Sequence, residues 1–180
     1  MLRTYTTIFL LCCISTPLYA SDAVKFSSAY TDLSKDCKWL FGESQLQEGQ
    51  DNSLVCPGHG GFSLQIDASG TYSTLHVTNT NSEFRLPRTP ILRHNRKGVV
   101  EWRMANAKPF AIIVRSLTLD KSGEVGPERL VVLGLKDFES IDSYVETTGN
   151  SLANEHARNL ADTSYAKSSR SSNRRVHATH

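Results

Sequence analysis

The chain has no Gly-x-Ser-x-Gly elbow, no His-Glu-x-x-His pair, no phosphate-cradling glycine loop and no dinucleotide fingerprint. Those gaps remove the enzyme classes that announce themselves by a local motif. Paired carboxylates leave no such signature, so acid–base work by two acids distant in sequence is not removed. Beyond Ala20 there is no apolar run of the roughly 20 residues that a membrane-spanning helix needs. Cysteine is scarce: 4 in all, two of them (Cys12 and Cys13) inside the apolar N-terminal segment. The last stretch, Lys167 to His180, contains no acid.

What is present begins with that N-terminal segment. Arg3 supplies a positive start, Thr7 to Leu18 is largely apolar, and Leu18-Tyr19-Ala20 ends in the small residue a signal peptidase requires. Residues 1–20 therefore read as a secretory signal peptide cleaved near Ala20, which places the mature chain in the periplasm or outside the cell. A lipid-anchoring cysteine is the competing reading. Phe9, Leu10 and Leu11 are bulky where such processing sites carry small residues, which disfavours it. In an oxidising compartment the two remaining thiols, Cys37 and Cys56, can form one intramolecular bridge. Closing a loop of that size stabilises a fold by about 3 kcal/mol in the chain-entropy picture.

Charge is unevenly spread. All 18 acidic residues precede Lys167, whereas Lys167, Arg170, Arg174 and Arg175 give the tail an excess of positive charge. Residues 21–166 form a slightly acidic body long enough for one β-rich domain with a real core. Residues 167–180 lack apolar periodicity and are expected to be a disordered basic tail. Nucleic acid is not an expected partner of an exported, slightly acidic body.

Along the body, Phe62, Leu64 and Ile66 alternate with polar residues, and Leu75 and Val77 do the same after the Ala68-Ser69-Gly70 break, which predicts a hairpin. Val99 to Met104 alternates, Phe110 to Leu119 is rich in Ile and Val, and Arg129 to Leu135 is another apolar strand. Ile141 to Val145 suits a short edge strand, while Asp120 to Glu128 reads as a loop. Pro87 and Pro90 argue against a central strand within Phe84 to Lys97. Asn150 or Ser151 can cap a helix in which Ala153, Ala157 and Ala161 form a small-residue stripe, ending near Tyr165. The expected fold is α+β, mainly β: one antiparallel sheet or small barrel of five to seven strands, with a C-terminal helix packed on it.

Three segments carry a resemblance. They are Cys56-Pro57-Gly58-His59-Gly60-Gly61; Val100-Glu101-Trp102-Arg103 with Pro109-Phe110-Ala111-Ile112-Ile113-Val114-Arg115; and Ala153-Asn154-Glu155-His156-Ala157-Arg158-Asn159-Leu160-Ala161-Asp162. Together, over Tyr30 to Asp162, they resemble a group of small secreted proteins of Gram-negative bacteria with no assigned activity. The resemblance implies a bacterial, exported, single-domain protein and adds no chemistry.

Several constellations remain to be weighed. Cys56 and His59 have metal-ligand spacing, and His76 or Cys37 could complete a zinc site, but a disulfide beside a glycine turn is the simpler reading. Glu101 and Arg103 point to one side of their strand, and Arg115 on the next could come beside them. A cross-strand salt-bridge ladder is the plainer account; a patch whose guanidiniums grip a carboxylate, phosphate or sugar acid is the functional one. Arg85, Arg88, Arg93, Arg96 and Lys97, with His94, form a basic stretch that suits either a solvated loop or an anionic envelope partner.

The leading expectation is a non-enzymatic exported binding module, using Glu101, Arg103, Arg115, the basic stretch and His59, with an envelope protein or anionic ligand as partner. No catalytic residue, metal or cofactor is assigned, and oligomeric state is left open. The alternatives are a hydrolase built on His59 and Glu101, which would need the two close together in a pocket, or an inhibitor of an extracytoplasmic enzyme with the Pro57–Gly61 turn as its plug.

Overall fold

A computed structural model describes residues 23–41, 53–69, 71–80, 82–93 and 98–177. The expected signal segment, most of the loop inside the disulfide ring, and His94 to Lys97 lie outside the described residues.

The strands run β1 (Phe26–Asp32), β2 (Lys38–Trp39), β3 (Ser53–Pro57), β4 (Phe62–Ser69), β5 (Tyr72–Asn79), β6 (Ile91–Arg93), β7 (Val99–Ala105), β8 (Lys108–Leu119), β9 (Val125–Gly134) and β10 (Asp142–Glu146), followed by α1 (Ala153–His177). They form two antiparallel five-stranded sheets. The central sheet has the order β1-β7-β8-β9-β10, and the outer sheet β2-β3-β4-β5-β6. The fold is mainly β with a C-terminal helix, as expected. Each sheet lies within the expected size, but there are two of them, and neither is closed into a barrel.

The layering follows from the side chains. In the outer sheet, the predicted hairpin pairs Leu64 with Val77 and Ile66 with Leu75. All four are buried against Val100, Trp102, Ile112, Val114, Val131 and Leu133 of the central sheet. Trp102 is fully buried, and its indole N–H donates to the Thr31 hydroxyl at 3.0 Å. That hydroxyl donates in turn to the carbonyl of Pro57 at 2.9 Å, a polar tie between the two sheets. The Cys37–Cys56 disulfide cross-links the residue preceding β2 to β3, within the outer sheet.

The opposite face of the central sheet is covered by α1. Ala153, Ala157 and Ala161 are buried on Ala111, Ile113, Leu130 and Val132. With no long side chains on that stripe, the helix backbone approaches the sheet closely. Coverage on both faces explains why Phe110 to Val114 is a continuous buried run rather than an alternating one. A register shift between Arg103 and Met104 inserts an extra residue opposite β7, so Phe110 and Ala111 both turn towards the helix. Phe110 meets Tyr165 there at 4.8 Å between ring centroids, with Phe26 and Phe138 around them.

Asn150 caps the helix, its side-chain oxygen accepting the N–H of Leu152 at 3.2 Å. The helix continues to His177, well past the expected stop near Tyr165, so the expected disordered tail is helical up to that point. No glycine or proline follows Ser151, and nothing in the sequence ends the helix earlier. The proline-flanked stretch does contain a strand, β6, but as the predicted rule for proline requires it is short and lies at a sheet edge. Among the described residues, no helix is long and apolar enough to cross a membrane.

Candidate functional site

The helix-facing side of the central sheet divides into rows set by strand register. One row runs Ser28–Arg103–Ala111 across β1, β7 and β8, and the next runs Tyr30–Glu101–Ile113. A third begins at Asp32 beside Val99 and, with the register continued, reaches Arg115 and its partner Leu130. α1 lies over the first two rows and reaches Leu130 of the third, but leaves Val99 and Arg115 of that row exposed.

Where the helix lies over the sheet, the polar side chains are matched to it. Arg158 binds Glu101 through both carboxylate oxygens, at 2.7 and 3.1 Å. Arg103 grips Asp162 with two parallel bonds, at 2.7 and 2.6 Å. The Ser28 hydroxyl joins the two pairs by donating to Glu101 and accepting from Arg103. The spacing makes this possible: residues two apart on a strand are separated by about 6.6 Å, and residues four apart on a helix by about 6 Å. The strand carries acid then base, and the helix base then acid, so both pairs close at once. The hydrogen-bonded Glu101 raises the Arg158 guanidinium above its ordinary value, and burial opposes it only in part. This is a salt-bridge array, but between sheet and helix rather than between strands.

Where the helix ends, a cleft of about 730 Å³ opens. Val99, Ile113 and Leu130 form its floor, Asn154 and Arg158 its helical wall, and Tyr30, Asp32 and Asp36 the opposite rim. Arg115 projects into it from β8, exposed, with no hydrogen bond or ion pair among the described residues. Thus Glu101 and Arg103 sit together, and Glu101 and Arg115 share the cleft, but Arg103 is turned to Asp162.

The other expected residues lie elsewhere. His59 is half-buried in the turn after β3, with its ring edge-on to Trp102 at 5.7 Å. Trp102 faces the outer sheet and Glu101 faces the helix, so His59 and Glu101 lie on opposite sides of the central sheet. Cys56 is bonded to Cys37, which leaves no thiolate beside His59 for a metal. Gly58 lets that turn pack tightly, since a Cβ there would fall 2.2 Å from the Phe62 carbonyl oxygen. In the basic stretch, Arg88 pairs with Asp142 and Arg93 with Glu128, each tying the outer-sheet segment to the central sheet. Arg85 is exposed beside a smaller depression, of about 480 Å³, on the outer sheet, and Arg96 lies outside the described residues.

Sequence reasoning missed Tyr30, Asn154 and Arg158 as cleft residues and Asp162 as the partner of Arg103. The complementary charge order of Glu101-x-Arg103 and Arg158-x-x-x-Asp162 was the available signal for the last two. Comparison with protein-family models, with curated proteins and with solved structures finds no match.

Proposed function

We propose that this chain is an exported, non-enzymatic binding domain whose ligand site is the cleft beside the start of α1. The observation that carries the reading is Arg115. Of the two guanidiniums in the cleft, Arg158 is committed to Glu101, while Arg115 faces open space above an apolar floor without a carboxylate partner among the described residues. An unpaired guanidinium over apolar surface is suited to a ligand that brings its own anionic group. The volume falls in the range of small-molecule sites. The disulfide supports an oxidising compartment, and with it the export reading.

The hydrolase reading has less support, because His59 and Glu101 face away from each other across a sheet. The basic stretch is also a weaker candidate, since Arg88 and Arg93 have carboxylate partners within the fold.

The test is native mass spectrometry of mature protein recovered from bacterial envelope extract. A small-molecule adduct is expected on the wild-type chain and on an Arg88→Ser/Arg93→Ser variant, and is expected to be lost in Arg115→Gln. No adduct on the wild type, or equal adduct on Arg115→Gln, defeats the reading.

A further inference from the structure

The charges around the cleft identify the class of ligand more closely, granted that the cleft is the binding site. Five ionisable side chains other than tyrosine line it: Asp32, Asp36, Glu101, Arg115 and Arg158. Glu101 and Arg158 neutralise one another. Asp32 is paired with Lys35 at 2.8 Å. Arg115 has no ionic partner among the described residues, and Asp36 makes no direct salt bridge there, although the Lys35 that pairs with Asp32 also acts on it at longer range, so the two-carboxylate rim keeps an excess negative charge. Asp36 uses one carboxylate oxygen to accept the backbone N–H of Asp32 at 2.7 Å, which holds it on the β1 rim.

The register separates Arg115 from the strand end to which Asp36 is tied, and the two charges make no salt bridge. Asp32 and Arg115 belong to one row with Val99 between them, so their backbones stand two strand spacings apart, about 10 Å. Val99 is 47% exposed and presents apolar surface in the gap. The cleft therefore offers an anion at one rim, a cation at the other and a hydrophobic floor between.

A simple carboxylate would suit Arg115 but would face the acidic rim. A simple amine would suit Asp36 but would meet two guanidiniums. We infer that the ligand is an amino-carboxylate with both termini free, of free amino acid to dipeptide size. Its carboxylate lies on Arg115, its ammonium on Asp36, and an apolar side chain rests on Val99, Ile113 and Leu130. Opposite charges at matched ends fix the direction in which such a ligand enters.

The probes are leucine, alanyl-leucine, N-acetyl-alanyl-leucine and alanyl-leucine amide, titrated calorimetrically into the mature disulfide-bonded protein. The longer free probe or leucine is expected to bind, and each capped dipeptide to bind about tenfold more weakly than its free parent, the loss expected for one charge-assisted contact. Asp36→Asn should abolish the penalty of acetylation, and Arg115→Gln that of amidation, while circular dichroism shows both variants folded. Equal affinity of capped and free dipeptides overturns the inference. If the acetylated probe binds as tightly as the free one and Arg115→Gln abolishes both, the ligand is a plain anion: the amino-carboxylate falls and the cleft reading stands. If no probe binds, the inference falls, whereas the cleft reading is decided separately by the envelope adduct and its dependence on Arg115.

Discussion

Arg103 and Arg115 stand on neighbouring strands, on the same face of the same sheet, yet their surroundings assign them different work. Arg103 lies under the helix, its side chain 12% exposed and bonded bidentately to Asp162. Arg115 lies beyond the helix, exposed and without a partner among the described residues. What separates them is where α1 begins, not their own chemistry. A guanidinium that is covered must be matched, because an unpaired buried charge costs several kcal/mol, whereas one left uncovered is hydrated and free to meet a ligand.

The sharpest way to break that contrast is to remove Arg103. Arg103→Ala leaves Asp162 partly buried without its cation and should lower stability by about 3 kcal/mol, read from urea unfolding. A loss of only a few tenths would place the pair among ordinary surface salt bridges and erase the distinction from Arg115. Next in size is the fit of the helix itself. Ala157 is fully buried against the sheet, so Ala157→Leu should overpack that contact and cost about 2 kcal/mol. Amide exchange should quicken in α1 and leave the outer-sheet hairpin unchanged; protection unaltered in α1 would mean that the helix is not held by this stripe.

Much of this arrangement was legible beforehand, and the exceptions have physical causes. The β4–β5 hairpin was readable because Leu64, Ile66, Leu75 and Val77 alternate cleanly against a wet face. The continuous run Phe110 to Val114 was readable as a strand, and it carries a second message, since a strand apolar on both sides needs a layer on each. That message distinguishes two sheets and a helix from a single sheet and a helix. β2 is only two residues long, β6 only three and flanked by Pro87 and Pro90, so neither has enough length for a period to emerge. The sheet–helix ion pairs were half legible: Glu101 and Arg103 stood out, but their partners belong to an element remote in sequence. The cleft was not legible at all. It exists because α1 covers Ile113 and Leu130 but leaves Val99 and Arg115 beside it exposed, a relation between two elements that no single segment encodes.

Arg115 supplies the opposite side of the comparison. Arg115→Gln should change stability by no more than about 0.5 kcal/mol, because the side chain makes no contact that folding depends on. A thermal melt superimposable on the wild type is the expected result. A loss approaching that of Arg103→Ala would show that Arg115 is structural after all, and its vacancy in the cleft would lose its meaning.

The smallest effect probes the acidic rim. A hydrogen bond from Lys35, then those from the Ser34 hydroxyl and backbone N–H, hold the half-exposed Asp32 carboxyl down at about 2, against an ordinary 3.8. A carboxyl depressed in the folded state contributes stability above its unfolded value, and that contribution disappears as pH falls from about 3.8 through about 2. Lys35→Ala should therefore raise the Asp32 midpoint towards the ordinary carboxylate value, followed by NMR of the side-chain carboxyl carbon. Arg115→Gln should leave that midpoint where it is, because two strand spacings separate the groups and solvent screens what remains. A midpoint that rises in Arg115→Gln would show that the rim charges already compensate each other, and the open half of the sheet would then be matched internally, as the covered half is.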